Sequence, residues 1–145
     1  MMVREAQPAD RVGVRRVLDA AMLDVEDLLA RIDAGDVLVA VAEDRVLGTC
    51  VLVPPTEAPD WVGQVGDKGR FEKAIDAHVH AIGVRRRRRA EGIGWALIDR
   101  AGERGALSAA FKADVRPFYD RLGFDFLDGK TADGRLRAVW MAERN

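Results

Sequence analysis

One cysteine, Cys50, is all the thiol the sequence contains. A disulfide within the chain is thereby excluded, as is a metal site built on cysteines. Such a chain suits a reducing compartment, and the expectation is a cytoplasmic protein. Long apolar runs are missing too. The run "VLVAVA" is far too short to cross a bilayer, and no membrane partner is expected. The opening "MMVREAQPAD" is charged and has no apolar core of the signal-peptide kind. A basic excess is also absent: 23 Lys and Arg stand against 24 Asp and Glu, a formal net charge of −1. Dedicated nucleic-acid binders usually carry a basic surplus, so nucleic acid is not the expected partner. Histidine and tyrosine are scarce: two histidines, His78 and His80, and one tyrosine, Tyr119.

What is present is ordinary for a globular protein, with 48% apolar and 32% charged residues in 145. That length predicts a single domain over 1–145 with a real core. "VREAQ" reads as a short first strand. Val14, Val17, Leu18, Ala21 and Met22 recur at helical spacing after Asp10, a candidate N-cap. "DVEDLLARIDAG" predicts a second helix, begun by Asp24 and ended by Gly35. "DVLVAVA" and "RVLGTCVLV" predict a hairpin. "AHVHAIGV" is a buried strand, "GIGWALIDRAGERG" a helix and "ALSAAF" a short strand. "ADVRPFYDRLGF" is a helix with Asp114 as cap, and "DFLDG" and "RLRAVWMAE" close as a hairpin. The order β-α-α-β-β-β-α-β-α-β-β predicts an α/β chain with one mixed sheet and helices on both faces.

Residues 81 to 101, "AIGVRRRRRAEGIGWALIDRA", hold five consecutive arginines, Arg85 to Arg89, followed by Gly92 and Gly94 at a helix start. Free amides and the dipole at a helix N-terminus favour an anion. Glycines let a ligand approach the backbone, and arginines add charge. This is the anatomy of a phosphate or pyrophosphate site. A charge run also describes a solvated face, and both readings stand for Arg85 to Arg88. The Walker pattern is not met, because no Gly-Lys-Ser/Thr follows. The dinucleotide fingerprint is not met either, since Ile98 stands where its third glycine belongs.

"VRRRRRAEGIGWAL" resembles the acetyl-CoA signature of the GNAT superfamily of N-acetyltransferases, Arg/Gln-x-x-Gly-x-Gly/Ala, on Arg89, Gly92 and Gly94. "RPFYDRLGF" resembles the family's second signature through Phe118, Tyr119, Gly123 and Phe124. The resemblance implies a mostly antiparallel sheet of about seven strands, with "AHVHAIGV" and "ALSAAF" splayed around acetyl-CoA as cosubstrate. It implies that backbone groups at Ile82, Gly83 and Val84 pair with the pantetheine arm. Amides of Ala90, Glu91, Gly92, Ile93, Gly94 and Trp95 would cradle the pyrophosphate beside Arg89. One departure is Lys112, which stands where many members carry an asparagine.

Acetyl transfer to an amine requires a polarised carbonyl, a neutral amine and a proton for the departing thiolate. Tyr119 holds the family's acid position, and a phenol of ordinary pKa near 10 is protonated at neutral pH. His78 and His80 alternate on one strand face, and an imidazole suits proton removal near neutrality. "HVHAIGV" resembles the His-x-His strand of arylalkylamine N-acetyltransferases, which implies a proton relay. Ordinary polar strand residues remain the other reading. No third ligand at metal spacing accompanies the pair, and no metal is expected. Glu57, Asp60 and Asp76 are candidates to hold a cationic amine or to act through water as the base, and the loop 54–76 with Trp61 is a candidate lid over the acceptor. Cys50 is expected to pack in its strand.

The expected reaction is acetyl transfer from acetyl-CoA to a primary amine, directly within a ternary complex. The acceptor is a small molecule or a protein amine, and the sequence carries no motif to choose. A CoA-binding sensor without chemistry is the alternative. Nucleic-acid binding through Arg85 to Arg89 is a distant third. Oligomeric state stays open, a homodimer included.

Overall fold

The computed structural model describes residues 1–65, 74–88 and 91–142. In chain order its elements are β1 (Met2–Glu5), α1 (Arg11–Ala20), α2 (Leu28–Asp33), β2 (Val37–Ala42), β3 (Arg45–Val53), β4 (Ala77–Val84), α3 (Ile93–Ala101), β5 (Leu107–Phe111), α4 (Arg116–Arg121), β6 (Asp125–Lys130) and β7 (Leu136–Trp140). The seven strands form a mixed sheet in the order β1-β2-β3-β4-β5-β7-β6. Pairing is antiparallel for β1–β2, β2–β3, β5–β7 and β6–β7, and parallel for β4–β5. The chain divides into two units, Met1–Leu52 with Ala81–Ala101, and Val53–His80 with Gly102–Asn145.

In the first unit, the unbroken apolar run of β2 follows from cover on both faces. Val37 and Val39 join a core with Val14, Val17 and Leu18 of α1 and Leu28 and Ile32 of α2. Ala40 lies on the opposite side, because successive strand residues alternate. It pairs with Gly48. A Cβ on Gly48 would meet Ile93 at 3.0 Å and Leu97 at 3.2 Å, so α3 covers that face and needs glycine there. The β2–β3 turn is two residues, Glu43 and Asp44, both left-handed at φ 52° and 60°. Such a turn matches the twist of its strands.

Three helix starts differ from the sequence expectation. Asp10 makes no side-chain bond to the first turn of α1. Its carboxylate takes Arg4 Nη1 at 2.7 Å and the Gln7 amide at 2.7 Å. The ion pair holds Asp10 below the usual carboxylate range. Helix α2 begins at Leu28, after Asp27 at φ 53°, rather than after Asp24. A 3-10 turn over Ala113–Val115 absorbs Asp114, and α4 follows Val115. Gly35 at φ 79° ends α2 as expected, and Gly123 at φ 90° follows the end of α4.

In the second unit, Val62, Val65, Ile75, Ala106 and Val139 form a core, with Trp61 packed against it. The described part of the 54–76 loop is therefore docked by its own side chains; residues 66–73 lie outside the described range. Trp140 donates Nε1–H to Leu122 C=O at 3.1 Å. Its ring occupies the place a Gly102 side chain would need, 2.2 Å from an added Cβ. Among the described residues, no helix is long and apolar enough to cross a membrane.

Candidate active site

Strand β4 and the turn after it place the expected cofactor residues of the first unit. Ile82, Gly83 and Val84 are buried. A Cβ on Gly83 would touch Val17 of α1 and Ala21, which caps it, at 3.4 and 3.5 Å. The strand end is fixed by Arg85, whose N–H bonds to Leu47 C=O at 2.8 Å. Its Nε–H also bonds to Val46 C=O at 2.7 Å. Gly92 follows at φ 79°, and an added Cβ there meets nothing within 4 Å. The backbone thus turns through a conformation natural to glycine beside open space. The Ala96 N–H bonds to Gly92 C=O at 3.0 Å, and the amides ahead of it are those a helix leaves without an internal acceptor. Ile93 and Gly94 are buried, while Trp95 is 58% exposed. Glu91 pairs with Arg88 at 3.0 Å, an exposed contact of little energy. Arg89 and Ala90 lie outside the described residues.

The proton-handling candidates belong to the second unit. Tyr119, on α4, is buried in an aromatic cluster. Its ring stacks on Phe111 at 3.9 Å and 5°, with Phe118 and Phe124 edge-on at 5.4 and 5.3 Å. His80 is exposed, and His78 is buried. The parallel register sets His78 opposite Ser108, and its Nδ1 lies 2.7 Å from Ser108 Oγ. The edge of Trp61 packs against its ring at 5.9 Å. Burial, and secondarily the neighbouring His80, push the His78 imidazole down to about 4. This ring is a neutral, held group at physiological pH. Asp76 accepts the Ala106 N–H at 2.7 Å, which ties the start of β4 to that of β5. Glu57 and Asp60 are exposed.

Folding forces His78 into its neutral form, so an unfolded chain takes up this proton near 6.5 and the folded chain only near 4. Stability from this group is complete above pH 6.5 and is lost as pH falls toward 4. Two and a half pK units correspond to about 3 kcal/mol. Urea unfolding between pH 4 and 7 is expected to show a steeper decline for wild type than for His78→Gln. Parallel declines would remove His78 from the account.

Ser108 is a residue that sequence reasoning missed. Nothing near "ALSAAF" signals a histidine partner thirty positions away. Among the described residues no group of three or more His, Cys, Asp or Glu is placed to hold a metal. Cys50 is buried in β3.

Comparison with known families settles the affiliation. The profile of the acetyltransferase (GNAT) domain matches residues 33–125. The chain belongs to the GNAT acetyltransferase family. That GNAT match spans β2 to the first residue of β6 and takes in the turns at Gly92 and Gly123. A GNAT acetyltransferase from Listeria monocytogenes superposes with TM-score 0.67 at 19% identity, covering 97% of this chain and 94% of its own. Rv2747 from Mycobacterium tuberculosis, solved with CoA and NLQ, gives 0.67 at 16%, covering 99% and 100%. An aminoglycoside 6′-N-acetyltransferase solved with coenzyme A gives 0.71 at 13%, covering 100% and 99%. At these identities the likeness establishes the GNAT fold. A comparison with curated protein sequences finds no match.

Proposed function

We propose that residues 1–145 form one acetyl-CoA-dependent N-acetyltransferase domain, which moves an acetyl group to a primary amine by direct transfer in a ternary complex. The observation that carries this reading is the turn at Gly92. Its left-handed backbone borders open space immediately before α3, inside the span matched by the GNAT profile. Residues Glu91, Gly92, Ile93, Gly94 and Trp95, with Arg89 and Ala90, would hold the pyrophosphate through backbone amides and the α3 dipole. The backbone of Ile82, Gly83 and Val84 would pair with the pantetheine arm. Two of the structural neighbours were solved with CoA, and one is named for N-acetylation of aminoglycosides.

Acetyl-CoA, when bound, supplies an activated thioester. The chain's own groups manage the protons. His80, exposed on β4, takes the proton of the acceptor ammonium so that the neutral amine attacks. His78 is bonded to Ser108 and packed by Trp61, and so keeps the strand in place rather than exchanging protons itself. The Tyr119 hydroxyl would give its proton to the departing sulfur and regain one from the acceptor nitrogen, which sheds its second proton on becoming an amide.

Calorimetry with acetyl-CoA tests the cradle. Wild type is expected to bind, and Gly92→Val to lose roughly tenfold or more. A β-branched residue at positive φ is strained, by about 1–3 kcal/mol, and its side chain enters the ligand's space. Equal affinities would move the pyrophosphate elsewhere. Turnover with a panel of primary amines then tests the chemistry. Binding without turnover of any amine would make the protein a CoA sensor.

A further inference from the structure

Arg85 to Arg88 line a hollow of about 560 Å³ together with Arg16 of α1 and Arg45 of β3. All six belong to the first unit, and none is among the residues assigned to acetyl-CoA above. A smaller hollow of about 230 Å³ shares Arg16, Arg45 and Arg85 with it and is lined by Asp10 and Asp44 as well. Glu43 is the one acidic residue lining the larger hollow. Among the described residues no ion pair or hydrogen bond engages the side chains of Arg16, Arg45, Arg86 or Arg87.

Six guanidinium groups line one concavity; Arg88 is paired with Glu91, those of Arg16, Arg45, Arg86 and Arg87 repel each other, and a cleft focuses their field outward. A bound polyanion relieves that repulsion. Guanidinium forks match phosphate oxygens in pairs and remain charged at any physiological pH. The Arg85 guanidinium is already held through Nε–H to Val46 C=O at 2.7 Å, so one fork is preorganised. The floor adds apolar surface from Val17, Ala20 and Leu47, which suits a ligand with an organic body. We infer that this hollow is a second anion site, taking a small molecule that carries linked phosphate groups. It stands independently of the acetyl-transfer reading.

Titration of the full chain with inorganic triphosphate tests it, followed by calorimetry at two salt concentrations. Wild type is expected to bind, more weakly in higher salt. Arg16→Gln with Arg45→Gln is expected to weaken binding roughly tenfold or more. Arg86→Gln with Arg87→Gln is expected to act in the same direction. The substituted side chains are exposed, and unchanged melting without ligand checks the fold. If acetyl-CoA affinity is unchanged, the natural occupant is a free phosphate compound. If acetyl-CoA weakens while its 3′-dephospho analogue does not, the hollow is part of the cofactor's own site, and the proposal of a second site is overturned. Triphosphate that does not bind wild type, or binds both double variants equally, overturns the proposal. An oligonucleotide bound where triphosphate is refused overturns it too, in favour of a nucleic-acid contact.

Discussion

Tyr119→Phe is expected to lower kcat for acetyl transfer about a hundredfold, while the melting temperature moves by only a few degrees. The substitution removes a hydroxyl and keeps a ring. That ring is what the structure packs, flat on Phe111 at 3.9 Å and against the edges of Phe118 and Phe124. Loss of one buried hydroxyl contact costs about 1 kcal/mol, whereas loss of a general acid costs about 10²- to 10⁴-fold in rate. The KM for acetyl-CoA is expected to stay within a few-fold, because the assigned cradle lies on other residues. Steady-state kinetics beside thermal melting separates the two roles. An unchanged kcat would make Tyr119 a core aromatic and send the search for the proton donor elsewhere.

Gly105→Ala has the largest expected cost in stability, about 3 kcal/mol. Gly105 sits at φ 122°, and an added Cβ would lie 2.0 Å from Asp76 Oδ2 and 2.5 Å from its Cγ. Backbone in that region costs a non-glycine residue about 1–3 kcal/mol. The clash then displaces the carboxylate that accepts the Ala106 N–H. A buried amide left without its acceptor costs about 1–3 kcal/mol more. Urea unfolding would measure the loss. Asp76→Ala is the informative companion, because it removes the clashing atoms. Gly105→Ala on that background is expected to cost less than on wild type. Equal costs on both backgrounds would leave the backbone angle as the whole cause.

Strands were the most legible elements of the fold. β4 spans the residues of "AHVHAIGV", because a strand buried on nearly its whole length must be apolar on nearly its whole length. Helix starts were less legible. Asp10, Asp24 and Asp114 have the right chemistry for caps, yet Asp10 is claimed by Arg4 and Asp114 by a 3-10 turn. Propensity for a cap does not reveal a stronger competitor elsewhere in the chain. The glycine turn before α3 was legible because positive φ selects glycine locally. The setting of His78 was not, since its partner Ser108 and its cover Trp61 come from distant segments. The hollow around Arg16 and Arg45 was hidden for the same reason. Two isolated arginines carry no sign that they will meet a third segment.

Trp95 gives the molecule a built-in optical handle. The sequence has three tryptophans, and Trp95 alone falls in the first unit. It stands in the first turn of α3 with its indole 58% exposed, whereas Trp61 and Trp140 are packed in the second unit. A water-facing indole emits at longer wavelengths than a covered one. The red edge of the emission spectrum therefore belongs mainly to the helix end beside Gly92, and the blue edge to the other half of the chain. An untagged sample carries its own two-colour reporter.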